Sequence, residues 1–158
     1  MYTYDAWRTE DRLIHGEWGD VNGDGAPDFV YLTGRMTADS PFVQHITLHI
    51  RDGQTGQVFT IGLKETSGYN PTVFLGDFTG DRVKDILVSI DSGGSGAFTY
   101  DELFSFRHNE ARKLYDNDWL YNTYGNATVT YENHYKVRVT NRSLGKYYLL
   151  DISGRDPE

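Results

Sequence analysis

The chain has no cysteine. A disulfide framework and a cysteine-based zinc site are therefore excluded. The absence does not fix a compartment, because it suits the cytosol and a Gram-positive exterior equally. No apolar run approaches the roughly 18 residues that a membrane helix needs. The start, Met1-Tyr2-Thr3-Tyr4, carries no signal-peptide pattern, so a secreted form would have had its leader removed. Basic residues are few: 15 Lys and Arg stand against 23 Asp and Glu, a net charge of −8. No basic stripe is left to neutralise phosphates, which argues against a nucleic-acid partner. Helical periodicity is scarce as well. At most one short turn fits near Asp116 to Tyr121.

What is present points to β-structure. A chain of 158 residues can bury a sizeable core, and one domain spanning 1–158 is expected. Its 12 tyrosines and 17 glycines favour short strands and tight turns. The most informative stretch is Asp20-Val21-Asn22-Gly23-Asp24-Gly25-Ala26-Pro27-Asp28. It places oxygen side chains at relative positions 1, 3, 5 and 9, with Gly25 at position 6 for a sharp turn. Calcium takes about six to eight hard oxygen ligands, and this spacing supplies them. Asp20, Asn22, Asp24 and Asp28 are the candidate side-chain ligands, and the Ala26 carbonyl is the candidate backbone ligand.

A second version occurs 57 residues downstream, at Asp77-Phe78-Thr79-Gly80-Asp81-Arg82-Val83-Lys84-Asp85. Its candidate ligands are Asp77, Thr79, Asp81, Asp85 and the Val83 carbonyl. It departs from the pattern twice. Thr79 replaces Asp or Asn at position 3, and Arg82 replaces the glycine, which brings a cation close and demands an unfavourable backbone angle. A helix–loop–helix calcium hand needs a bidentate Glu at position 12. That position is Tyr31 in one loop and Val88 in the other, both inside apolar runs. Helical hosts, dockerin-like variants included, are thereby disfavoured.

The surroundings repeat too. Each loop joins two short apolar runs that read as strands. After the first loop, residues 42–51 alternate, with Val43, His45, Thr47 and His49 on one face and Gln44, Ile46, Leu48 and Ile50 on the other. Asp52-Gly53-Gln54-Thr55-Gly56 supplies turn chemistry, and residues 58–63 return. The second unit has the same content, with strands over 97–107 and 112–115. Residues 13–66 and 70–117 thus read as two four-stranded units, the content of a propeller blade. Residues 118–158 hold three further alternating runs without a calcium loop, and read as a degenerate third blade or a capping sheet.

A strand, D-x-[DN]-x-[DN]-G-x-x-D and a strand, repeated at this period, resembles the FG-GAP or VCBS-type repeat. That family includes integrin α-subunit propellers and many bacterial surface proteins. With Gly76-Asp77-Phe78-Thr79-Gly80-Asp81 followed by Ser92-Gly93-Gly94-Ser95-Gly96, the chain is most similar to VCBS-repeat proteins of Gram-positive spore-formers. The resemblance implies an all-β fold of antiparallel blades in a partial or small propeller, with one or two structural Ca2+ ions. It also implies an extracellular, cell-surface or spore-associated setting. Propellers close with about four to eight blades, more than this length holds. The sequence therefore predicts a longer natural protein, or covered sheet edges, including edges paired in a homo-oligomer.

Other constellations carry less. Asp91-Ser92-Gly93-Gly94 looks like a serine-protease nucleophile segment, but reads better as a glycine-rich loop. His45 and His49, flanking Thr47, read as half-exposed strand residues rather than metal ligands. Trp119, Tyr121, Tyr124, Tyr131, Tyr135, Tyr147 and Tyr148 could form a carbohydrate or peptide platform, although cross-strand packing is the stronger reading. Asp101 and Glu102 lack a paired nucleophile. The sequence thus predicts a non-enzymatic, calcium-stabilised surface or spore-associated module that binds a protein or glycan. The alternative is an accessory or substrate-binding part of a larger secreted hydrolase.

Overall fold

A computed structural model describes residues 10–96, 98–117, 127–133, 136–141 and 145–151. The fold is all-β. The chain divides into two compact units, Met1–Asp116 and Asn117–Glu158. Among the described residues no helix is long and apolar enough to cross a membrane.

The first unit contains two four-stranded antiparallel meanders. The first sheet runs β1 (Arg12–Gly19), β2 (Asp28–Met36), β3 (Val43–Arg51) and β4 (Val58–Ile61) in spatial order. The second runs β5 (Tyr69–Gly76), β6 (Asp85–Asp91), β7 (Thr99–Ser105) and β8 (Arg112–Asp116) in the same way. A 3-10 turn at Arg107–Asn109 joins β7 to β8. Each nine-residue aspartate loop connects the first two strands of its sheet, as the repeat predicts.

Alternation decides which face is buried. Val30 and Leu32 of β2, Ile46, Leu48 and Ile50 of β3, and Ile86, Val88 and Ile90 of β6 join Phe104 and Phe106 in one core cluster. Burying an aliphatic or aromatic side chain of this kind contributes about 1.5–3 kcal/mol. The two sheets also meet where β1 contacts β5. There the Val73 N–H donates to His15 Nδ1 at 3.0 Å. The bond satisfies an amide of a buried residue that the sheet ladder leaves open.

The other face of the first sheet carries a ring ladder. Trp18 stacks on Phe29 at 4.8 Å, Phe29 on Tyr31 at 4.9 Å, and Tyr31 on His49 at 5.0 Å. Arg51 lies 5.8 Å from the Trp18 ring centre, within cation–π range.

The even alternation expected across β3 is broken. Val43 is buried while Gln44 is exposed, so Val43 belongs with Ile46 on the core face. A bulge is the cause. The register slips between Thr33 and Arg35, and His45 takes φ 55°. One extra residue returns Val43 to the core.

The second unit contains a three-stranded antiparallel sheet of β9 (Ala127–Asn133), β10 (Lys136–Asn141) and β11 (Lys146–Asp151). Arg138 pairs with Glu132 and sits 4.4 Å from the Tyr147 ring centre. Trp119, Tyr121, Tyr124 and Tyr135 of the suggested platform lie outside the described residues, as do the side chains of Tyr131 and Tyr148. Most of the turn expected at 116–121 lies outside them too.

Candidate metal centre

The first loop closes on its own carboxylates. Asp20 accepts the Gly23 N–H at 2.7 Å through one oxygen and the Gly25 N–H at 2.9 Å through the other. Asp24 accepts the Ala26 N–H at 2.8 Å. Asp28 accepts the Val21 N–H at 3.0 Å. Gly23 and Gly25 hold φ 89° and 87°, a region that side chains with a Cβ disfavour. This is why the glycines stand at positions 4 and 6.

The second loop repeats these four bonds. Asp77 accepts from Gly80 and Arg82, Asp81 from Val83, and Asp85 from Phe78. Gly80 takes φ 79° and Arg82 takes φ 70°. The strained angle expected at Arg82 is therefore present. The loops also touch, since the Lys84 N–H donates to the Asp20 carbonyl at 3.1 Å.

Around the first loop, two further turns converge. The turn between β3 and β4 brings Asp52. Its carboxylate accepts the Gln54 N–H at 2.8 Å and the Thr55 N–H at 3.3 Å. These bonds, the Gln54 one foremost, hold its carboxyl below the usual carboxylate range against an opposing burial effect. Asp28 reaches the same turn, accepting the Gly53 N–H at 2.9 Å. A Cβ on Gly53 would lie 2.0 Å from the Pro27 carbonyl oxygen, so only glycine lets the turn seat. From the second sheet, the His108 N–H donates to the Asn22 carbonyl at 2.9 Å, and Asn22 Nδ2 donates to Asn109 Oδ1 at 3.0 Å.

The result is a three-carboxylate cluster. Ligand oxygens of Asp24, Asp28 and Asp52 all lie within 4.8 Å of one another. Asp28 is 0% exposed and Asp52 3%. Among the described residues no Lys, Arg or His forms an ion pair with any of the three. Hard anionic oxygens gathered without a balancing side-chain cation suit Ca2+ in donor chemistry. Asp20 lies outside this three-acid group, its oxygens engaged by the Gly23 and Gly25 N–H groups, while Asn22 Nδ2 donates to Asp24 Oδ2 at 3.2 Å. Asp52 did not figure among the sequence candidates. Its Asp-Gly-Gln-Thr-Gly segment signalled a turn and nothing more.

The second loop has a different charge balance. Asp77 spends both oxygens on N–H groups of Gly80, Asp81 and Arg82. One Asp85 oxygen takes the Phe78 and Thr79 N–H groups and the Thr79 hydroxyl. Asp81 Oδ2 accepts from Arg107 Nη1 at 3.3 Å. The Val83 N–H, and to a smaller extent Arg107, hold the Asp81 carboxyl below its usual range. The residue 57 positions after Asp52 is Asn109. That side chain is an amide and faces the first loop, where it accepts from Asn22 Nδ2. Among the described residues, the cluster at the first loop is the sole three-acid group of this geometry.

Residues 20–88 match the FG-GAP-like repeat model. The matched segment of the FG-GAP-like repeat begins at the first aspartate of the first loop. It ends three residues after Asp85, inside β6. An uncharacterized protein of Bacillus subtilis strain 168, YybI, is 41% identical over 146 residues. The match takes in 92% of this chain and 55% of the relative. The chain therefore spans about half the length of that curated relative.

The remaining candidates are not assembled into sites. His49 is held by Thr33 Oγ1 at 2.8 Å on Nε2 and by Thr60 Oγ1 at 3.1 Å on Nδ1. His45 sits in the bulge. Ser92 Oγ accepts the Gly94 N–H at 3.4 Å, with no histidine among its described partners. Asp101 and Glu102 point to opposite faces of β7. Asp101 accepts the Ser89 hydroxyl at 2.6 Å. Glu102 is buried, with Lys113 Nζ at 2.6 Å and the Lys64 N–H at 3.0 Å.

Proposed function

We propose that this chain is a calcium-stabilised, non-enzymatic binding or structural module of the cell surface or spore. One observation carries the reading: the Asp24, Asp28 and Asp52 oxygens lie within 4.8 Å of one another, the first two in the loop where the FG-GAP-like match begins. Asp20, Asn22, Asp24, Asp28 and the Ala26 carbonyl would hold the ion, with Asp52 as the added carboxylate. Asp77, Thr79, Asp81, Asp85 and the Val83 carbonyl form the weaker second set. A bound Ca2+ supplies positive charge to crowded carboxylates and nothing to a reaction. The chain's own contribution is to hold two turns of the first sheet and the 3-10 turn of the second against one another.

An extracellular setting fits, because FG-GAP-like repeats are typically extracellular and often bind calcium. A Bacillus relative supports the Gram-positive expectation. The second reading, an accessory part of a larger secreted hydrolase, draws on the 55% coverage of that relative.

Thermal unfolding with millimolar calcium and with excess chelator tests the proposal. At a free concentration ten times Kd, linkage raises stability by about 1.4 kcal/mol per site. For a chain of this size that is a rise in Tm of about 3–6 °C. An unchanged midpoint, with no ion retained on equilibrium dialysis, would sink it.

A further inference from the structure

At the end of the second sheet remote from its aspartate loop, Tyr69, Asn70, Asp91, Gly93, Gly94 and Phe98 line an open cleft of about 420 Å³. β5 starts there and β6 ends there, so seven or eight strand residues separate it from residues 77–85. That is roughly 20 Å. We propose that this cleft binds a neutral sugar ring. The ligand class specifies the partner of the binding module described above, and so rests on the binding part of that reading but not on calcium.

The chemistry comes from one polar pair and one ring. Asn70 Nδ2 donates to Asp91 Oδ2 at 3.0 Å. Among the described residues, nothing donates to the other Asp91 oxygen, and no cation pairs with Asp91. Asn70 retains its amide oxygen and one further N–H. The pair therefore presents acceptors and a donor side by side. A row of hydroxyls, each able to donate and accept, complements such a set. A guanidinium or ammonium group offers donors alone and would meet the Asn70 N–H with another donor. An acidic sugar would meet the Asp91 charge with no Lys or Arg in the lining to offset it. Phe98 is 54% exposed and offers an apolar ring against which the C–H face of a sugar can stack.

The backbone around the pair is bent towards this geometry. The β5–β6 register slips between Tyr69 and Thr72, and Asn70 takes φ 46°. Such a bulge re-aims a side chain, here onto Asp91. Gly93 takes φ 79°, and a Cβ there would lie 2.3 Å from the Tyr69 ring. The glycine lets the loop close over the Tyr69 ring. The volume lies within the usual range for small-molecule sites.

The test is an amide-resolved NMR titration of the full chain. The probes are methyl β-glucopyranoside, N-acetylglucosamine, glucuronate and an arginine-containing pentapeptide. Saturable shifts at Asn70, Gly93 and Gly94 with at least one neutral sugar are expected, and no saturation with glucuronate or the peptide. Asp91→Ala and Phe98→Ala should each weaken the neutral sugar about tenfold, while leaving shifts elsewhere in place. Excess chelator should leave the sugar response unchanged, which separates this site from the calcium reading. The proposal is overturned if no neutral sugar saturates, if the peptide or glucuronate binds as well, or if both variants respond as the parent does.

Discussion

Replacing Asp24 by Asn separates a metal centre from a hydrogen-bonded turn. The amide keeps an oxygen for the Ala26 N–H, now 2.8 Å away, so the loop bond survives. What is lost is one unit of negative charge within 4.8 Å of Asp28 and Asp52 oxygens, together with the acceptor of the 3.2 Å bond from Asn22 Nδ2. Without calcium, that charge is unfavourable. At this spacing two unit charges in water-like surroundings repel by about 0.9 kcal/mol. The solvent value applies because Asp24 is exposed. With calcium, the same charge is favourable, since it helps to hold the ion.

The substitution should therefore act with opposite signs in two buffers. In excess chelator, relief of two repulsions of about 0.9 kcal/mol each is offset by the lost Asn22 bond of about 1 kcal/mol, so Asp24→Asn should match the parent or exceed it by about 1 kcal/mol. In millimolar calcium it should be less stable. If its Kd rises tenfold, the linkage gain falls from about 1.4 to about 0.4 kcal/mol. Urea unfolding in both buffers, followed by tryptophan fluorescence, measures the crossing. An equal loss in both buffers would refute the reasoning, because it would make Asp24 a structural turn residue.

Asp52→Asn should weaken calcium about tenfold, in the manner of a removed supporting carboxylate, while its Gln54 and Thr55 bonds persist; calorimetric titration reads the change. Arg82→Gly should stabilise the second loop by about 1 kcal/mol even in chelator, since φ 70° no longer opposes a Cβ; denaturant midpoints check it. His15→Ala should cost about 1–3 kcal/mol by leaving the Val73 N–H without its acceptor, and should speed exchange of that amide. Burial lowers the His49 pKa from 6.5, with Asp11 opposing in part. The unfolded chain then takes up the proton first as pH falls. Stability is full above 6.5 and declines below it, and His49→Gln should flatten that part of a pH–stability curve.

The local pattern made most of the fold legible. Aspartate, glycine and short apolar runs fix the loops, and the shared offset of 57 fixes two like sheets. The departures from the expected pattern come from local irregularities. Nothing in Phe42-Val43-Gln44-His45 announces an extra residue, because a bulge is set by the partner strand as much as by its own sequence. Asp52 was invisible for a related reason. A side chain 24 residues from the end of the loop enters the centre only after β2 and β3 have paired. Its position relative to Asn109, by contrast, follows from the same offset that located the second loop.

The two loops share the nine-residue turn but differ in the charge gathered around it. Asp20 with Gly23 and Gly25 matches Asp77 with Gly80 and Arg82, and Asp28 with Val21 matches Asp85 with Phe78. Those bonds use backbone N–H groups as donors and carboxylates as acceptors. They explain why the pattern tolerates Arg82 at a left-handed position. The pattern therefore encodes a turn. The charge that would attract an ion is set from outside it, by Asp52 at the first loop and by Arg107 at the second. Arg107→Gln should then raise the calcium affinity of the second loop without altering its backbone bonds. An exposed ion pair of this kind sets only a modest limit on the gain, within a few-fold. Ion stoichiometry alone would miss so small a change. A titration that resolves the Asp77 to Asp85 amides would show it, and identical second-loop affinities in parent and variant would mean that Arg107 has no part in the balance.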